Sequence, residues 1–137
     1  MSLRKVAIWL SNAAFAVPIS PSTCKNNPVA RIPVRTYEDD AGLDLAVTFD
    51  TTLQPGEYRL LPTGLSVQLP SWSWGLITGR SSALTRGIMV HQAVIDCGWR
   101  GELLVCARNV SDVPVHISHG ERLAQLVVLP NGTRSVT

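Results

Sequence analysis

This 137-residue sequence has little of what marks several large functional classes. Lysine occurs only at positions 5 and 25, the formal charge is +2, and the arginines are scattered. No basic stripe is present to follow a phosphate backbone or an anionic bilayer, so neither nucleic acid nor membrane is suggested as a partner. Cysteine is confined to Cys24, Cys97 and Cys106, with no CxxC pair and an odd thiol left over. That usage fits a reducing compartment (cytoplasmic, nuclear or viral) better than a secreted disulfide framework. Long apolar runs are missing too. Val6–Val17, behind Arg4-Lys5, is interrupted by Ser11 and Asn12, is too short to span a bilayer and precedes no small-x-small cleavage site. It reads as an opening strand or an N-terminal extension. Internal repeats and low-complexity tracts are absent, and His116-x-x-His119 is the only His/Cys pair with ligand-like spacing. It reads as a polar strand-and-turn pair, not a metal site.

What the chain does have is turn chemistry. Ten glycines and nine prolines separate short apolar runs with few strong helical stretches, which predicts one turn-rich, all-β domain. Residues 1–32 read as a leader, irregular over Ser20–Pro33, and residues 33–137 as the β domain. Strands are expected near Leu43–Phe49, Glu57–Leu61, Gly64–Leu69, Trp74–Thr78, Ile88–Val90, Leu103–Arg108, Val115–Ile117 and Leu123–Leu129. Gln54-Pro55-Gly56-Glu57, Pro62-Thr63-Gly64 and Pro70-Ser71 are the turns between several of them. Ser81 to Arg86 is the one helical turn, with Ser81 or Ser82 as its cap.

The most informative stretch runs from Ala93 to Glu102. A short apolar run delivers one carboxylate, Asp96, into a tight turn; an aromatic, Trp99, follows; Arg100-Gly101-Glu102 then opens a new apolar run. The pattern predicts a β-hairpin whose first arm ends on an acid and whose second begins with a ring. Three other short motifs keep it company in a set order. Ala41-Gly42-Leu43-Asp44-Leu45 and Gly79-Arg80-Ser81-Ser82, with Gly87 behind, precede it. Gly120-Glu121-Arg122-Leu123-Ala124-Gln125-Leu126 follows. Taken singly, Asp44 is a turn residue, Arg80 a surface charge, Ser81 a helix cap and Gln125 a polar residue on a strand's outer face.

Together, in this order and spacing, the four motifs resemble the trimeric dUTPase family over about residues 30 to 130. The resemblance implies an antiparallel β-sandwich of jelly-roll type that assembles as a homotrimer, with active sites shared between subunits. It implies hydrolysis of dUTP to dUMP and pyrophosphate. Asp96 would be the base that activates water, and Arg80, Ser81, Ser82 and Gln125 would hold the phosphates. Mg²⁺ would be carried by the phosphates and waters, with no direct protein ligand and Asp44 acting on it through a water. The main chain over Val90, His91, Ala93, Val94 and Ile95 would read the uracil edge, and Trp99 would pack on the deoxyribose and exclude a 2′-hydroxyl. Mispairing of cytosine against that edge would leave buried groups unpaired.

Three features depart from the family pattern. Trp99 stands where Tyr is usual, and the larger indole reshapes the sugar contact. Ala93 stands where Gly is usual and limits how closely the backbone meets the base. The Gly-rich fifth motif does not follow within these 137 residues, so slow turnover is expected. Two other readings stand beside hydrolysis: a nucleotide- or partner-binding module of the same fold with little or no turnover, and a dCTP deaminase. The deaminase is the weaker of these, because the Glu such enzymes carry after the hairpin corresponds to Cys106 here.

Overall fold

The protein is described by a computed structural model covering residues 5–10, 13–21, 30, 31, 33 and 35–136. Its strands are β1 Lys5–Leu10, β2 Ala13–Pro21, β3 Leu43–Ala46, β4 Thr51–Leu53, β5 Tyr58–Pro62 and β6 Leu65–Val67. They continue as β7 Ser73–Gly79, β8 Ile88–Val90, β9 Ala93–Ile95, β10 Leu104–Asn109, β11 Val115–Ile117 and β12 Arg122–Pro130. A single short helix, α1 Ser81–Thr85, and a 3-10 turn over Gly132–Ser135 complete the described elements. All described pairings are antiparallel, in four sheets ordered β3-β12-β7-β9, β5-β10-β8, β1-β2-β6 and β11-β4. The result is the jelly-roll-like β fold that the sequence predicts.

Period-two alternation explains the strands. Along β7, Ser73, Gly75 and Ile77 are buried while Trp74, Leu76 and Thr78 are not; along β10, Val105, Ala107 and Asn109 turn inward. The inward sets meet in one core around Leu45, Leu53, Leu65, Ile77, Ile117 and Leu126. Turn residues close the connections. Gly56 and Gly64 take φ values of 78° and 69°, which only glycine adopts without strain, and the Glu57 N–H donates to Gln54 O at 2.9 Å. The opening stretch, read as a strand or an extension, is two strands, and the second runs on to Pro21. Lys5–Leu10 and Ala13–Pro21 make a hairpin whose second arm pairs with β6 (Ile19 opposite Val67). The expected leader boundary at 32/33 and Cys24 lie outside the described residues.

Asn109 is the main polar anchor of the core. It is fully buried, its Nδ2 donates to Leu53 O at 2.9 Å and Val113 O at 2.7 Å, and its Oδ1 accepts from Ser111 N–H at 2.9 Å. Truncation would take the side-chain partner from the Leu53 carbonyl and the Ser111 N–H, while Val113 O keeps the Ser111 hydroxyl at 2.9 Å. Asn109→Ala is expected to destabilise by about 3 kcal/mol, read as a fall in the denaturant midpoint at unchanged slope.

Two local expectations are corrected. The arms flanking Asp96 do not pair with each other: β9 pairs with β7, and β10 pairs with β5 and β8. Gly75 is the reason on one side. A Cβ there would stand 3.0 Å from Leu126 Cδ1, 3.1 Å from Leu69 Cδ1 and 3.3 Å from Ile95 Cβ, so the bare glycine lets both the core leucines and β9 close onto β7. On the other side, buried Leu103 donates its N–H to Leu65 O at 2.8 Å and carries the chain to the opposite sheet. Nor does a serine cap α1. The cap position is Arg80, with no side-chain cap bond, and Ser81 is the first helical residue.

Candidate active site

Asp44 sits in β3 between Leu43 and Leu45, which are 3% and 0% exposed, so alternation turns its carboxylate to the opposite face. Register then sets a row across three strands: Asp44 lies opposite Gln125 of β12, and Gln125 opposite Thr78 of β7. Directly opposed residues share a face with Cβ atoms about 5 Å apart. Arg80 follows the end of β7, held by its N–H to Leu123 O at 3.0 Å. Its Nε meets Asp44 Oδ1 at 3.1 Å, and Arg122 Nη1 stands 3.9 Å from Asp44 Oδ2. Thr36 Oγ1 donates to the same Oδ2 at 3.3 Å, and Gln125 Nε2 donates to Gly79 O at 3.3 Å. Gly42 makes room for this packing, since a Cβ there would stand 2.8 Å from Gln125 Oε1.

One carboxylate, Asp44, thus lies between two guanidiniums. Asp44, Arg80, Ser81 and Gln125 line a cleft of about 200 Å³ with Thr36, Tyr37, Asp40, Ala41 and Gly42, so among the described residues Arg80 is the one cation that faces two carboxylates there. Arg80, Ser81 and Gln125 also face a second cleft of about 460 Å³, which Met89 and Val90 line as well. Ser82 faces elsewhere, into a cleft of about 430 Å³ that holds Arg31, Arg80, Arg86 and Arg122. There Arg86 pairs with Glu121 and donates to His116 O at 2.7 Å. Arg122, Thr36 and Met89 were not singled out as site residues from sequence. The signal for Arg122 was its place in the fourth motif; Thr36 and Met89 carry no sequence signal of their own.

Asp96 and Trp99 do not join this cluster within one chain. Ile95 lies opposite Gly75, so Asp96 comes level with Trp74, near the end of β7 away from Arg80. Six strand positions at roughly 3.3 Å separate the two, about 20 Å. Asp96 is exposed and its carbonyl accepts the Trp99 N–H at 3.0 Å, closing the tight turn. Of the residues expected to read a base, the His91 N–H is committed to Cys106 O at 2.9 Å, and Val90 is buried opposite Ala107. Ala93, Val94 and Ile95 form β9, the edge strand of its sheet. An edge strand leaves main-chain N–H and C=O groups pointing outward.

Among the described residues no three His, Cys, Asp or Glu side chains cluster as a metal site, and no helix is long and apolar enough to cross a membrane. His116 Nδ1 lies 3.1 Å from Thr52 Oγ1 across the β4–β11 pair.

The dUTPase family model matches residues 29–137. The chain is similar to the deoxyuridine 5′-triphosphate nucleotidohydrolase of Mycolicibacterium gilvum (strain PYR-GCK), 40% identical over 106 residues that cover 74% of this chain and 69% of that protein. It is 32% identical over 98 residues, 72% of its length, to the Pol polyprotein of equine infectious anemia virus (strain Wyoming), of which it spans only 9%. Among solved structures, the native dUTPase of that virus (EIAV) matches with a TM-score of 0.71 at 30% identity, covering 77% of this chain and 88% of the other. The antiparallel fold, the acid–arginine–glutamine row and a family match over most of the sequence converge, and the chain belongs to the dUTPase family.

Proposed function

We propose that the chain hydrolyses dUTP to dUMP and pyrophosphate. The observation that carries this reading is the Asp44–Arg80 pair beside Ser81 and Gln125 in a member of this family. Arg80, Ser81 and Gln125 hold the phosphates, Ser82 meets them from the neighbouring cleft that Arg80 also lines, and Gln125 also places the attacking water. Asp96 takes that water's proton as the oxygen adds to the α-phosphorus and the bond to the pyrophosphate oxygen breaks. The outward main chain of β9, with its neighbours from Val90, reads the uracil edge, and the half-exposed Trp99 ring packs on the deoxyribose.

Mg²⁺ fits these residues as an ion carried by the triphosphate. Asp44 is shared by two arginines and Asp40 accepts the Tyr37 N–H at 2.8 Å, so Asp44 would hold the hydrated ion through a water. When bound, Mg²⁺ offsets the negative charge on the phosphates. The separation of about 20 Å along β7 supports a homotrimer whose sites take Asp96 from one copy and Arg80 from another. A cytoplasmic location suits this activity.

The test is incubation with dUTP, UTP, dTTP or dCTP plus Mg²⁺, scoring pyrophosphate and ammonia separately. Pyrophosphate from dUTP should exceed that from dCTP by at least about a hundredfold, because cytosine leaves buried donors unpaired. Equal turnover of UTP would remove the role given to Trp99. Ammonia from dCTP would make the chain a deaminase, and dUTP binding without pyrophosphate a binding module.

A further inference from the structure

We propose that Gly101 is a positioning residue for sugar selection, its bare main chain being the seat on which the Trp99 indole lies. The proposal rests on the reading of Trp99 as the ring that meets the sugar. A Cβ on Gly101 would stand 2.3 Å from Trp99 Cζ2, 2.7 Å from Cε2 and 3.0 Å from Cη2. All three atoms belong to the six-membered ring of the indole, so that ring rests directly against the Gly101 backbone. Carbon atoms in ordinary contact keep about 3.5–4.0 Å. One added methyl group therefore displaces the ring by more than an ångström.

Backbone freedom is not what calls for glycine here. The positive-φ glycines among the described residues are Gly56, Gly64, Gly87 and Gly120, and Gly101 is not one of them. An L side chain suits its backbone, and only the indole stands in the way. The turn itself is stapled. Trp99 N–H bonds to Asp96 O at 3.0 Å, and Arg100 Nη1 donates to Cys97 O at 2.7 Å and Trp99 O at 3.0 Å. With the main chain held at three points, the side chain is the part that yields. Trp99 is 50% exposed, so the seat covers part of the ring and leaves the remainder open to a ligand. Gly98, in the same turn, is the natural control, since a Cβ there meets nothing within 4 Å.

The experiment compares Gly101→Ala and Gly98→Ala in the wild-type and Trp99→Ala backgrounds, reading Trp99 emission without nucleotide as the difference from the matching Trp99→Ala protein, since Trp9, Trp72 and Trp74 also emit, and the kcat/KM ratio of dUTP to UTP. Gly101→Ala should shift the emission and lower the ratio roughly twofold to tenfold, the worth of one aromatic contact, while Gly98→Ala does neither. In the Trp99→Ala background Gly101→Ala should change nothing further. A fall in the ratio that persists without the indole, or wild-type emission and ratio in Gly101→Ala, overturns the proposal. Should Gly101→Ala fail to fold alone, folding of the Gly101→Ala/Trp99→Ala pair supports the contact and its failure refutes it. A wild-type chain that leaves dUTP intact defeats the hydrolase reading separately, and the emission then decides the seat.

Discussion

Asp96→Asn should lower pyrophosphate release from dUTP by at least about a hundredfold, the lower end of what loss of a general base costs. Nucleotide binding should survive. The fold should survive as well, because the Asp96 carbonyl, not its carboxylate, closes the turn with the Trp99 N–H. Asparagine keeps the size and much of the hydrogen bonding but cannot take a proton from water. The measurement is a pair: steady-state pyrophosphate release, and calorimetric affinity for a non-hydrolysable dUTP analogue. Near-normal turnover with an intact fold would show that Asp96 is a solvated turn residue and nothing more.

Mixing two inactive variants should restore activity. Arg80→Ala removes a guanidinium that faces the phosphates, and Asp96→Asn removes the base, so each homogeneous protein is inactive. The two positions lie about 20 Å apart in one chain, whereas both must reach a single triphosphate. A site that takes Asp96 from one copy and Arg80 from its neighbour is whole whenever the first copy is the Arg80 variant and the second the Asp96 variant. With random reassembly of equal amounts that holds for about a quarter of the sites. The check is to denature the two proteins together, refold, and assay against each refolded alone. Activity no higher than either parent would mean that the sites are not shared in this way.

Much of the secondary structure was legible because alternation and turn chemistry are local. β8 and β11 run over Ile88–Val90 and Val115–Ile117, the bounds expected from the residues alone. β4 was missed because its three residues bury only Leu53 fully, too short a signal for a period of two. The serine cap was misjudged for a related reason. Ser81 has the right chemistry, but the chain enters the helix one residue earlier, with Arg80 already extended at the cap. The hairpin at Asp96 failed at its partners. The turn is there, yet Gly75 admits Ile95 on one side and Leu65 takes the Leu103 N–H on the other.

The sequence by itself determined the all-β class, most of the strands and the four ordered motifs, since each depends on residues within about ten positions of one another. Only the tertiary structure decided that Asp44, Arg80, Arg122 and Gln125 meet while Asp96 and Trp99 stand at the far end of β7. That outcome follows from the register of β3 and β9 against β12 and β7, strands distant in the chain. Register between distant strands is set by which side chains bury together, and no local pattern carries that information.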